Sequence, residues 1–118
     1  MYGFVYVLKN SSMPNLYKVG HTLKSPQQRA KELSSQTNMP QSFEVVFYGE
    51  ISNPNRLENE LHEIYADNRI NASREFFKLT DDEVFWLCNY IKEICDNVSH
   101  CEHYYVLENN VIHGGNHG

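Results

Sequence analysis

Two runs rich in β-branched and aromatic residues open the chain, separated by a stretch of Asn, Ser and Pro. The first, GFVYVLKN, stops at Asn10-Ser11-Ser12 and Pro14, and the second, NLYKVGHT, is closed by Gly20. Runs of this kind bounded by turn formers predict strands. The short connection from Lys9 to Asn15 makes them an antiparallel hairpin. The period then lengthens. In SPQQRAKELSSQT, Ser25 suits an N-cap and Pro26 the first helical position, while Ala30 and Leu33 supply part of an inward face. SFEVVFYGEI returns to period two, with Phe43, Val45 and Phe47 alternating against Glu44, Val46 and Tyr48, and predicts a third strand.

Helical spacing resumes in SNPNRLENELHEIYADNR, where Leu57, Leu61, Ile64 and Tyr65 form an apolar stripe. Glu75-Phe76-Phe77-Lys78-Leu79 reads as a short strand or a docking segment. TDDEVFWLCNYIKEICDNV predicts a third helix, opened by a Thr80/Glu83 capping box and buried along Val84, Leu87, Cys88, Ile91, Ile94, Cys95 and Val98. The expected order is ββαβαα, an α+β fold with a small three-stranded, antiparallel-rich sheet flanked by helices. Residues 1–98 are expected to form a single domain and 99–118 a partly disordered C-terminal tail containing a loose strand.

Composition and charge narrow the picture. At 118 residues, 41% hydrophobic and 13% aromatic, the chain can bury one core. Its longest apolar runs, such as GFVYVL and VFWLC, are too short to span a bilayer, and no secretory signal is expected at the start. Three cysteines offer no disulfide framework and suit a reducing, intracellular (cytoplasmic) setting. The net charge is −5, yet it is unevenly spread. Residues 1–40 carry Lys9, Lys18, Lys24, Arg29 and Lys31 against Glu32, a net of +4, and the remainder carries −9. A local basic patch can attract phosphate while the acidic remainder stays solvated or docks on a protein.

Several residues are placed for chemistry. Glu58 and His62, four apart on the second predicted helix, share a face, either as a surface pair or as ligands for one ion or phosphate. Because Mg²⁺ takes one or two carboxylates with waters and substrate phosphate, a single half-buried glutamate suffices for a magnesium phosphodiesterase. Arg29 lies near the start of the first helix, where a cation opposes the dipole unless an anion docks there. Tyr6 sits mid-strand among apolar residues and could relay a proton or orient water. By the pleat, Lys18 and Gly20 share one face of the second strand while Tyr17 and Val19 share the other. A partly desolvated Lys18 could act as a base, and Tyr17 cannot point into the same site. Cys88, Cys95, His100, Cys101, His103, His113 and His117 lack the paired short spacings of a zinc finger, which argues against a structural zinc.

Taken in order, these motifs resemble the GIY-YIG nuclease superfamily over about residues 3–79. Phe4-Val5-Tyr6 looks like the first motif, with Lys18-Val19-Gly20 following at the family's short spacing. Arg29, nine residues past Gly20, is similar to the helix-one arginine, and Glu58-Asn59-Glu60-Leu61-His62 to the helix-two metal glutamate. Glu75-Phe76-Phe77 is similar to the segment that closes the domain in one subfamily. The second motif departs from the family: Lys18 stands where the tyrosine is usual, as in the small phage and bacterial, meiotically up-regulated-type branch.

The resemblance implies a Mg²⁺-dependent (or Mn²⁺-dependent) endonuclease that nicks or cleaves DNA. It implies that Tyr6 and Lys18 activate or orient water, that Arg29 and His21 stabilise charge on the phosphorus centre, and that Glu58 binds the metal. His62 and Tyr17 are further candidates. Lys9, Lys24 and Lys31 are candidate contacts to DNA backbone phosphates. The alternative is a catalytically silent binding or counter-defence protein on the same fold, and no membrane partner is expected.

Overall fold

The computed structural model describes residues 1–36, 41–70 and 75–100, with the backbone alone for 98–100. Strands β1 (Tyr2–Asn10) and β2 (Leu16–Thr22) form the expected hairpin, with Tyr6 opposite Gly20 and Leu8 opposite Lys18. Helix α1 (Pro26–Gln36) follows, capped by Ser25, whose hydroxyl accepts from the Gln28 N–H at 3.1 Å. Strand β3 (Phe43–Ser52) runs antiparallel to β1, and helix α2 (Pro54–Ile64) starts at Pro54 after a left-handed Asn53. A 3-10 turn at Ala66–Asn68 leads to β4 (Phe76–Lys78), helix α3 (Asp81–Ile94) and β5 (Asn97–His100). The strands form one antiparallel sheet in the order β4-β2-β1-β3-β5.

The α+β class is as expected, but the sheet has five strands rather than three. Glu75-Phe76-Phe77-Lys78-Leu79 contributes an edge strand beside β2, one of its two anticipated states. The other addition comes from the end of the third predicted helix. That helix stops at Ile94, and Cys95 turns to an extended backbone (φ −80°, ψ 150°). Asp96 then donates its N–H to the Glu50 carbonyl, and Asn97 onward pairs with β3. An unpaired edge of β3 captures the chain before the helical stripe is used up, so Val98 lies in a strand and Ile94 is 40% exposed. The same segment carries the strand across the expected 98/99 boundary, and the remainder of the predicted tail lies outside the described residues. Helix α2 likewise ends early: Ile64 is 53% exposed, and the Tyr65 N–H closes on the Leu61 carbonyl before the 3-10 turn begins.

The helices clothe the sheet unequally. Ala30 and Leu33 of α1 pack with Tyr6, Leu8 and Phe43 on one face. Leu57 and Leu61 of α2 and Val84, Leu87, Cys88 and Ile91 of α3 cover Val5, Val7, Tyr17 and Val19 on the other. Strand β3 departs from strict alternation, because the register with β1 shifts between Val7 and Leu8. The bulge turns both Val46 and Phe47 to the α2/α3 side while Phe43 and Val45 remain on the α1 side. Hence β2, sandwiched between β1 and β4, presents Lys18 and Gly20 towards the α1 layer and Val19 and His21 towards α2.

Candidate active site

Tyr6 and Gly20 are directly opposed across the β1–β2 ladder. A Cβ added at residue 20 would fall 2.8 Å from Tyr6 Cζ, so glycine is what lets the phenol ring lie across the second strand. The ring is 1% exposed, and its hydroxyl oxygen accepts from the Arg29 guanidinium, which descends from the first turn of α1. Burial is the main force raising the Tyr6 pKa. The Arg29 bond opposes it, and the charges of Glu75 and Glu58 add to it. Tyr6 is therefore a neutral phenol at pH 7, seated within the electrostatic reach of two carboxylates. Burial works against the Arg29 charge, but the Tyr6 bond and the Glu32 and Glu75 carboxylates outweigh it and hold the guanidinium above its ordinary value.

Lys18 belongs to the same side of the sheet. It is 3% exposed, forms an ion pair with Glu75, and sits 5.3 Å from the centre of the Phe76 ring. The pair is anchored by main chain, because the Val19 N–H donates to the Glu75 carbonyl at 3.0 Å. Tyr6, Arg29, Lys18 and Glu75 thus form a single group of two cations, a carboxylate and a phenol under α1.

The second group lies across β2, where α2 packs on the strand. The Glu58 side chain is 13% exposed and contacts His21 Nδ1 through Oε2, while His62 Nε2 stands 3.7 Å from Oε1. His62 Nε2 also lies 2.7 Å from the Val19 carbonyl, to which it donates, and its ring packs 5.0 Å from Phe77. The ring pins α2 to β2 and fixes Glu58 one turn away. Tyr6 connects the two groups electrostatically, since its hydroxyl registers the charge of Glu58 on one side and Glu75 on the other.

The remaining sequence candidates are dispersed. Tyr17 is 5% exposed in the α2/α3 core, where burial raises its pKa, and it is not brought to Lys18. Lys9 pairs with Glu44 at 3.4 Å and Lys24 with Glu32 at 3.1 Å, while Lys31 is exposed on α1. Cys88 is buried and Cys95 half-buried, with burial raising the Cys95 thiol to about 11. The other histidines and cysteine of the zinc question lie outside the residues whose side chains are described.

Residues 3–99 match the T5orf172 domain. The chain belongs to the T5orf172 domain family. Membership of this nuclease-like or DNA-binding family is compatible with a nuclease or DNA-binding role. No curated protein and no solved structure gives a significant match. Among the described residues of this T5orf172 domain, no helix is long and apolar enough to cross a membrane.

Whether the T5orf172 site suits a divalent cation turns on Glu58. Among the described residues, no group of three or more His, Cys, Asp and Glu side chains is arranged to hold an ion unaided. A half-buried carboxylate whose described side-chain partners are imidazoles, rather than lysine or arginine, nevertheless fits an ion that keeps its waters and takes phosphate oxygens. Two carboxylates of the neighbourhood escaped functional assignment from sequence. Glu75 was visible as part of a motif but not as the partner of Lys18, and Glu32 stood out as the sole acid among residues 1–40 without a stated role. A lysine facing a core layer is the signal that could have prompted a search for a distant acid.

Proposed function

We propose that this T5orf172 domain is a Mg²⁺-dependent endonuclease of GIY-YIG type that hydrolyses phosphodiester bonds in DNA. The observation that carries the reading is the buried Tyr6 hydroxyl bonded to Arg29, with the Lys18–Glu75 pair on the same side of the sheet and Glu58 across β2. Arg29 has five N–H donors and uses part of them on Tyr6, leaving capacity for a phosphate oxygen. Tyr6 accepts from Arg29 while keeping its own proton, the state in which a phenol can orient a water or a phosphate oxygen. Lys18 and Tyr6 prepare the attacking water, and His21 and Arg29 offset negative charge growing on the phosphoryl group. Glu58 is the residue that would hold Mg²⁺ or Mn²⁺, with His62 as its positioning neighbour through Val19. When bound, the ion polarises the phosphoryl oxygen and stabilises the leaving oxygen as a Lewis acid.

The proposed partner is DNA, engaged chiefly through backbone phosphates, inside a cell. A protein partner could use the acidic C-terminal half. The silent-binder alternative draws on one observation: Lys18 is almost fully enclosed and already paired with Glu75. Nicking of supercoiled plasmid with Mg²⁺ separates the two. The wild type should convert supercoiled to open-circle DNA, and Glu58→Ala and Lys18→Met should each be slower by about 100-fold or more. No cleavage by the wild type of duplex, single-stranded or branched DNA would overturn the enzyme reading. Equal cleavage by Glu58→Ala would overturn the metal assignment alone.

A further inference from the structure

Glu32 occupies an unusual position in the charge pattern. It is the one acid among residues 1–40, and its two carboxylate oxygens face two of that segment's five cations. Oε2 lies 3.1 Å from Lys24 Nζ and Oε1 lies 3.6 Å from Arg29 Nη1. All three side chains reach solvent, at 60% exposure for Lys24 and 32% for each of the others. The Lys24 main chain is anchored by its N–H, which donates to Thr22 Oγ1 at 3.1 Å on the last residue of β2. Arg29 is fixed from the other side by the Tyr6 hydroxyl. The Arg29 guanidinium is thus held by the scaffold, Lys24 is anchored through its backbone alone, and the carboxylate lies between the two charged groups.

We infer that Lys24 and Arg29 form a subsite for a DNA backbone phosphodiester, and that the Glu32 carboxylate is its resting occupant, displaced when the phosphate binds. A phosphodiester, like a carboxylate, presents two anionic oxygens, so the same pair of cations can take either. The two occupants are unequal. Ion pairs this exposed are weak, worth at most about a five-fold change in an equilibrium constant, and the 3.6 Å Arg29 contact is longer than a good charge-assisted hydrogen bond. A phosphate on a polyanion gains counterion release as well. Glu32 can swing aside on its own helix, whereas Arg29 remains tied to Tyr6, so the phosphate that replaces it sits against the buried phenol. The inference rests on the DNA-directed reading above and adds a residue that sets affinity without taking part in the chemistry. Glu32 also disfavours loosely held anions, since any ligand must first outcompete it.

The test is binding of a fluorescein-labelled duplex oligonucleotide at low salt in EDTA, followed by anisotropy, so that no cleavage enters the readout. Glu32→Gln should tighten binding about three- to ten-fold. Glu93→Gln removes an equally formal charge from α3, on the opposite face of the sheet, and should change binding by less than about two-fold. In a Lys24→Met background the Glu32→Gln gain should fall by at least about half. Equal effects of Glu32→Gln and Glu93→Gln, or a gain that survives unchanged without Lys24, would overturn the inference, as would a wild type and variants that bind no DNA. Plasmid nicking with Mg²⁺ is read separately. Cleavage without the Glu32 effect removes the subsite and leaves the nuclease reading. The Glu32 effect without cleavage by any variant does the reverse.

Discussion

A lysine that is 3% exposed has surrendered nearly all of its hydration, and the Glu75 carboxylate and the Phe76 ring face stand in for water around it. Removing one partner of such a pair strands the other. Glu75→Gln should therefore destabilise the fold by about 1–3 kcal/mol, below the cost of breaking a fully enclosed pair, because the Glu75 side chain is 39% exposed. Lys18→Met combined with Glu75→Leu should recover most of that loss, since two apolar side chains leave no charge to solvate. Urea unfolding of the single and double variants checks this, and a double variant no more stable than Glu75→Gln would contradict it. The sequence pattern was sufficient for one half of the arrangement. Period-two alternation puts Lys18 and Gly20 on one face and Tyr17 on the other, and that separation holds in the structure. Glu75 lies 57 residues away from Lys18, and no local periodicity reports such a contact.

Element boundaries repeat the contrast between local and distant determinants. The start of α3 is written in side chains: the Thr80 hydroxyl accepts from the Glu83 N–H at 3.2 Å, and the Glu83 carboxylate accepts from the Thr80 N–H at 2.9 Å. Its end is decided by β3, a strand more than forty residues upstream, so the helical spacing of apolar residues continues past Ile94 although the helix does not. Gly49 marks that junction, since a Cβ there would collide with Cys95 and Ile91. The capping box makes a pH-dependent contribution. The Thr80 N–H bond is the main force lowering the Glu83 pKa below its ordinary 4.5, with Asn68 and the Thr80 hydroxyl adding to it and burial opposing. A depressed carboxylate stabilises the fold fully above pH 4.5, and the contribution is lost as pH falls through the folded value. Thr80→Ala should cost about 1 kcal/mol at neutral pH. Glu83→Ala should lower the urea midpoint clearly at pH 7 and much less at pH 3, and a gap that widens in acid would contradict the assignment.

At the scale of the whole molecule the division of charge, +4 over residues 1–40 and −9 beyond them, bears on how the proposed DNA partner would be held. The acidic half supplies α2 and α3 on one face of the sheet, with net charges of −2 and −3, while the basic half supplies the β1–β2 hairpin of the sheet and α1 on its other face. Within the basic half Lys18 is enclosed, so on the proposed reading Lys9, Lys24, Arg29 and Lys31 are the cations that could meet phosphates, with Lys9 engaged by Glu44 and Lys24 and Arg29 by Glu32. Each phosphate neutralised contributes about −0.9 to the slope of log affinity against log salt on duplex DNA. Two to four contacts therefore predict a slope of about −2 to −4, well short of proteins that engage DNA along an extended face. On the proposed reading the exposed acids of α3 disfavour a duplex on that side, so approach from the α1 side and the β2 edge, where His21 meets Glu58, is preferred. Anisotropy titrations of duplex DNA at several salt concentrations in EDTA give the slope directly. A value steeper than about −6 would require cations beyond the α1 face, supplied by a second copy of the chain or by residues outside those described. A value near the expected range fits an interface of only a few phosphates, the number that the exposed cations of the α1 face can neutralise.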